Sequence, residues 1–174
     1  MSQIKTDPIM VDIETLDTEE SAIILSIGAC VISPNRYRAT FYGELAVQHQ
    51  HDLGRTSSED TINWWNTQGN CPKHGTFPLG ETLREFSKWI AAQSVEPIIW
   101  AKGIDFDTKI LAHAYKMCQL PVPWKYNSVR DFRTVKKLFS ESVTPTISNA
   151  KPHNALADAE YQADQLLSIE LALR

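Results

Sequence analysis

The residues with most chemistry in this chain are carboxylates. In "PIMVDIETLDT", Pro8 to Thr18, Asp12 and Glu14 stand two positions apart inside an otherwise apolar run. A strand has period two, so both project from one face while Val11 and Ile13 project from the other. If such a strand is covered on both faces, two unpaired charges cost several kcal/mol per ion or become protonated. The pair alone does not say what compensates them. With 21 acidic residues in 174, an acid-x-acid pattern arises about two or three times by chance. It occurs here at Asp12/Glu14, Asp17/Glu19, Asp105/Asp107 and Asp158/Glu160.

Position separates these pairs. Asp107, in "WAKGIDFDTKIL", follows a compact apolar run and opens an amphipathic segment. Asp158, in "HNALADAEYQA", falls in the first turn or so of the last predicted helix, five residues after His153. Carboxylates at strand and helix ends can converge on one side of an α/β sheet, where sites usually form. Three or four of them repel one another unless hard cations neutralise them, and an oxygen-rich set suits Mg²⁺ or Mn²⁺. The residues therefore point to a divalent-metal site with a histidine nearby. An imidazole, which titrates near neutral pH, suits proton transfer there.

The elements that must position these groups can be read from pattern. Ile9–Glu14, Ala22–Ile32 and Tyr37–Leu45 are β-like runs separated by turn formers such as "SPN", which predicts an antiparallel meander. "VQHQHDLGRTSS" reads as a loop, and "EDTINWWNTQG" as a short helix with Ser57 or Ser58 at its N-cap and Gly69 ending it. Leu79, Leu83, Phe86 and Ile90 recur at helical spacing in a helix ending near Ala92. "EPIIWA" is a buried strand, and Phe106, Ile110, Leu111, Ala114 and Met117 mark another helix. The loop "SESVTPTISNAKP" precedes a last helix whose apolar face is Leu156, Ala159, Ala163, Leu166 and Leu167. Strands first, then helices alternating with a strand, describe a mixed α/β sheet covered on both faces.

Composition narrows the classes. A chain of 174 residues, 43% hydrophobic, can bury one substantial core, so residues 1–174 are read as one domain. No leader-like segment opens it, and "AIILSIGACVI" is too short to span a bilayer. A cytoplasmic location is expected, with Cys30, Cys71 and Cys118 as free thiols. A formal charge of −4 argues against a polybasic nucleic-acid binder. It leaves room for an enzyme that meets phosphates through metal cations, since two divalent ions would offset it.

"VDIETLDT", "WAKGIDFDTKIL" and "HNALADAEYQA", in that order, resemble the three motifs of the DEDDh 3′-5′ exonuclease superfamily. "TINWWNTQ" and "VRDFRTV" further resemble its phage and prophage branch, which includes exonuclease VIII-like proteins. The motifs run from residue 11 to about 163. The resemblance implies an α/β, ribonuclease H-like fold: a mixed five-stranded sheet, its first three strands antiparallel, flanked by helices on both faces. It implies a metal-dependent 3′-5′ exonuclease that releases 5′-mononucleotides from DNA or RNA with a free 3′ end, single-stranded by expectation, and that can form a homodimer. Asp12, Glu14, Asp107 and Asp158 would bind two divalent cations, Mg²⁺ or Mn²⁺, and His153 would be the general base. Thr15 and Leu16 would meet the terminal nucleotide. Many relatives carry an Asn where this chain has Gly103, which removes a polar contact that Lys102 or Asp105 would partly replace.

Other residues have duller alternatives beside functional ones. Trp64 and Trp65 point about 100° apart on a helix. Trp65 continues the apolar face from Ile62 into the core, leaving Trp64 for substrate or a subunit contact. Asp131 and Arg133 read as a salt bridge or as support for the site, and Lys102, Arg130 and Lys151 as phosphate contacts or plain solvated cations. "DFDT" lacks the Thr spacing of an aspartate-nucleophile phosphatase, and His49, His51, Cys71 and His74 fit no compact zinc module. Two further functions stand beside the nuclease: an idle nuclease fold acting as a nucleic-acid-binding or regulatory module, and a phosphodiesterase of small nucleotides.

Overall fold

The apolar runs of the first 45 residues pair with one another before any long helix intervenes. β1 (Ile9–Thr15) pairs antiparallel with β2 (Ile24–Val31), and β2 pairs antiparallel with β3 (Thr40–Glu44). Then come α1 (Val47–Asp52), α2 (Glu59–Gln68) and α3 (Leu79–Gln93). β4 (Ile99–Ala101) returns parallel to the free side of β1, α4 (Asp107–Met117) follows, and β5 (Val129–Asp131) adds parallel to β4. α5 (Phe132–Phe139) and α6 (Ala155–Ala172) close the chain. The sheet order is β3-β2-β1-β4-β5, with β1 at its centre. This computed structural model describes residues 7–35, 38–72, 74–139 and 151–173. Tyr37, the expected start of the third strand, and most of the expected loop 140–152 lie outside them.

Strand alternation divides the core. Ile9, Val11 and Ile13 pack with Leu83 and Phe86 of α3 and Ile110 and Leu111 of α4 on one face. Met10 packs on the other face with Phe132 of α5 and Ala159, Ala163 and Leu166 of α6. Asp12 and Glu14 share the parity of Met10, so they project toward α6.

Three short elements escape the sequence pattern. The segment expected as a loop contains α1, which has only six residues and buries a glutamine instead of an apolar stripe. Gln50 Oε1 accepts from Ile24 N (2.9 Å) and its Nε2 donates to Ile24 O (2.8 Å), so a side chain supplies the pairing of a missing strand. β5 has three residues, too few for a period. α5 follows it without a loop, capped by Asp131, whose carboxylate accepts from Arg133 N (3.3 Å) and Thr134 N (3.1 Å). The face of α6 is also rotated from expectation: Leu156 and Leu167 are half-buried, while Gln162, Gln165 and Ile169 are buried. No described helix is long and apolar enough to cross a membrane.

Candidate active site

Asp12 and Glu14 leave β1 on the α6 side, and one contact brings α6 to them. The cross-strand partner of Asp12 is Gly28. A Cβ there would lie 2.1 Å from the Ala155 carbonyl carbon and 2.2 Å from Leu156 N. Only a glycine lets the first turn of α6 rest on the sheet at this point. Asp158 lies in that turn, and carboxylate oxygens of Asp12, Glu14 and Asp158 come within 4.8 Å of one another.

His153 is set by the same entry into α6. Asn154 caps the helix, its side chain accepting from Ala157 N (3.0 Å). His153 itself has φ +63, a left-handed backbone uncommon outside glycine though less so for histidine. Its backbone N–H and that of Asn154 hydrogen-bond the Asp158 carboxylate. Asn70 Nδ2 donates to Pro152 O (2.8 Å), tying the approach to the end of α2.

Asp107 arrives from the other side of β1. β4 pairs with β1 only at Ile9 and Met10, so the ladder stops short of Ile13. Asp107 Oδ1 accepts from Ile13 N (3.1 Å), taking the place of the absent strand between the two β1 carboxylates. The turn before it needs Gly103, whose φ is +126 and whose carbonyl accepts from Phe106 N (2.9 Å) and Asp107 N (3.2 Å). Asp107 is thus adjacent to the other three carboxylates but outside their tightest group.

Burial and mutual repulsion dominate the electrostatics. Asp12 is held well above the usual carboxylate range by burial, then by Asp107, Glu14 and Asp158, against a 2.8 Å hydrogen bond from Gln162 Nε2. Burial, with Asp158 and Asp107, pushes Glu14 to about 8, and burial pushes Asp107 to about 7. Asp158 is raised by burial too. Gln162 Oε1, buried beside Asp12, has no hydrogen-bond partner among the described residues. An all-oxygen donor set whose members are disfavoured as bare anions by burial, and at Asp12 and Glu14 by repulsion as well, fits hard divalent cations.

Beside the cluster is a cavity of about 350 Å³ lined by Glu14, Thr15, Trp64, Trp65 and Phe106 among others. Trp65 is buried and its Nε1 donates to Thr15 O (2.9 Å), holding the end of β1. Trp64 is 41% exposed and meets the His153 ring edge-on, with centroids 4.8 Å apart. Leu16 does not line the cavity: it is 8% exposed, packed with Ile23, Leu25 and Trp65, and both its backbone groups are bonded, to Ile23 O and Ser58 N.

The cations distribute unevenly. Lys102 is exposed beside the site, and its charge favours the ionised forms of Asp107 and Asp158. Arg130 turns away, its guanidinium donating to Asn127 O and Val129 O. Lys151 is exposed on the approach to His153. Asp131 caps α5 and makes no ion pair with Arg133 among the described residues. His49, His51, Cys71 and His74 form no metal-binding group among those residues. Gln162 is a neighbour of the site that motif reading gave no role. The H-x4-D-x3-Q spacing from His153 through Asp158 would have flagged it, since i and i+4 share a helix face.

Comparison with known proteins places this geometry. A family model described as the 3′-5′ exoribonuclease Rv2179c-like domain matches residues 7–169. An exodeoxyribonuclease of Enterobacteria phage T4 is 24% identical over 119 residues, covering 59% of this chain and 52% of that protein. The chain spans about half the length of this curated relative. Among solved structures, the zinc-bound E. coli ExoI–ssDNA complex superposes with a TM-score of 0.71 at 12% identity, over 95% of this chain and 41% of that one. S. pombe Pop2p in its Mg²⁺- and Mn²⁺-bound form gives 0.61 at 14% identity, covering 97% and 84%. The nuclease domain of 3′hExo, a DEDDh family member bound to rAMP, gives 0.61 at 12%, covering 99% and 94%. At these identities the likeness shows the fold, and it is the five-stranded ribonuclease H-like fold expected from the motifs.

Proposed function

Because the chain belongs to the family of 3′-5′ exoribonuclease Rv2179c-like domains, we propose that residues 1–174 form one exonuclease domain removing 5′-mononucleotides from the 3′ end of single-stranded nucleic acid. The observation that carries this reading is the convergence of Asp12, Glu14 and Asp158 within 4.8 Å, with Asp107 and His153 alongside. The T4 relative supports a place in the phage and prophage branch.

Asp12, Glu14, Asp107 and Asp158 would hold two divalent cations, Mg²⁺ or Mn²⁺. Such a pair, when bound, neutralises charge on the scissile phosphate and its attacking and leaving oxygens. The remaining work falls to the chain. Gln162 Nε2 holds the Asp12 carboxylate in one orientation, and the Ile13 N–H does the same for Asp107. His153 takes the proton of the attacking water on its imidazole, with Trp64 packed against the ring to limit its rotation. Glu14, Thr15, Trp64 and Phe106 enclose the terminal nucleotide in the 350 Å³ cavity, and Leu16 backs Thr15 from the core. Lys102 stands by for a phosphate.

Hydrolysis of single-stranded DNA and of RNA in Mg²⁺, in Mn²⁺ and in chelator tests this directly. Mononucleotide release that needs the metal and disappears in Asp12→Asn is the expected result. Release that survives the chelator would sink the metal reading, and failure on both polymers would sink the nuclease reading.

A further inference from the structure

Three cations gather on the flank of the site formed by the β4–α4 turn and α5. The Arg133 guanidinium lies over Gly103: a Cβ there would be 2.9 Å from its Nη2 and 3.4 Å from its Cζ. Nη2 donates to Lys102 O at 3.0 Å, which fixes the group in that position. Lys136 lies one turn along α5, its Nζ donating to Gln165 Oε1 (3.2 Å). These groups belong to one electrostatic neighbourhood. The charge of Lys102, after burial, lowers the pKa of Lys136.

Their lack of ion-pair partners among the described residues is informative. Two carboxylates lie near Arg133: that of Asp131 is taken up by backbone N–H groups at the start of α5, and Asp105 Oδ1, 3.8 Å from where a Gly103 Cβ would lie, makes no ion pair with it among the described residues. Among the described residues, none of Lys102, Arg133 and Lys136 makes an ion pair, in a chain with 21 acids and a net charge of −4. A chain with more acids than bases has acids available to cover such a cluster, yet leaves it open on the edge of an anionic site. Counterion release from a phosphate backbone is the interaction that such a surface favours.

We propose that Lys102, Arg133 and Lys136 form a cationic shelf that binds the phosphates of the single strand as its 3′ end enters the carboxylate cluster. Arg133 fills the space that Gly103 leaves and presents its remaining N–H donors to a phosphate oxygen. The shelf rests on the exonuclease reading and assigns the direction from which the strand arrives.

Binding of an oligothymidylate with phosphorothioate linkages at its 3′ end, measured across a salt series, tests the shelf without turnover. Arg133→Ala/Lys136→Ala should weaken binding at low salt by tenfold or more and reduce the slope of log affinity against log salt by about 1.4, roughly 0.7 per cation on a single strand. Arg133→Lys/Lys136→Arg should restore most of the slope. If wild type binds and the alanine pair leaves slope and affinity unchanged, the shelf is wrong while the nuclease reading stands. If wild type binds no strand, both fall.

Discussion

At the residue scale the central fact is that burial raises the proton affinity of four carboxyl groups, joined at Asp12 and Glu14 by repulsion from neighbouring carboxylates. The sign of the consequence can be worked out at Glu14, pushed from 4.5 to about 8. Between those values the folded metal-free protein binds more protons than the unfolded chain, so its stability falls as pH rises through that window. The melting temperature in chelator should therefore drop more between pH 5 and 8.5 for wild type than for Glu14→Gln. Mg²⁺ should remove much of the difference; parallel melting curves for the two proteins would contradict it. Removing the carboxylate that the other three all repel should abolish chemistry rather than binding alone. Asp12→Asn should lower kcat by at least about 10³, the several kcal/mol a misplaced cation pair costs. On the proposed reading Trp64 acts through His153, its ring lying 4.8 Å from the imidazole. Trp64→Ala should reduce kcat by roughly tenfold, equivalent to about 1.4 kcal/mol, and Trp64→Phe should recover most of it. Equal activity in all three proteins would show that the packing has no role in turnover.

At the element scale the site is assembled by two replacements of ordinary pairing. Asp107 stands where β4 no longer reaches β1, and the first turn of α6 rests where Gly28 leaves the sheet bare. Gly28→Ala forces a methyl into the Ala155–Leu156 backbone. It should cost about 1–3 kcal/mol, lowering Tm by roughly 2–12 °C. Activity at a temperature where the variant is fully folded should fall as well, because Asp158 and His153 ride on that turn; an unchanged Tm would refute the contact. Much of this assembly was legible in the sequence. Period two put Asp12 and Glu14 on one strand face, and the company of Asp107, His153 and Asp158 at helix starts set that pair apart from the other acid-x-acid pairs. Gln162 was hidden because a buried amide reads as a polar break in the face of α6. α1 was hidden because Gln50, rather than an apolar stripe, is what it buries. Leu16 shows the opposite limit: its motif position was plain, but only packing reveals that its side chain is spent on Ile23, Leu25 and Trp65.

At the scale of the whole molecule, charge and cavity give the strand a direction. Lys102, Arg133 and Lys136 lie together on one flank of the carboxylate cluster in a net negative chain, with the Trp64 cavity beside Glu14. On the proposed reading a free end lies in the cavity and backbone on the shelf, so a strand without an end should not be cut. The fold alone does not impose this, since a ribonuclease H-like sheet can serve many sites. The most direct measurement follows a 5′-labelled single strand in Mg²⁺ beside the same sequence closed into a circle. The linear strand should shorten as a ladder from its 3′ end while the circle remains intact. Equal cleavage of the circle, or loss of the 5′ label as a mononucleotide from the first turnover, would contradict the account.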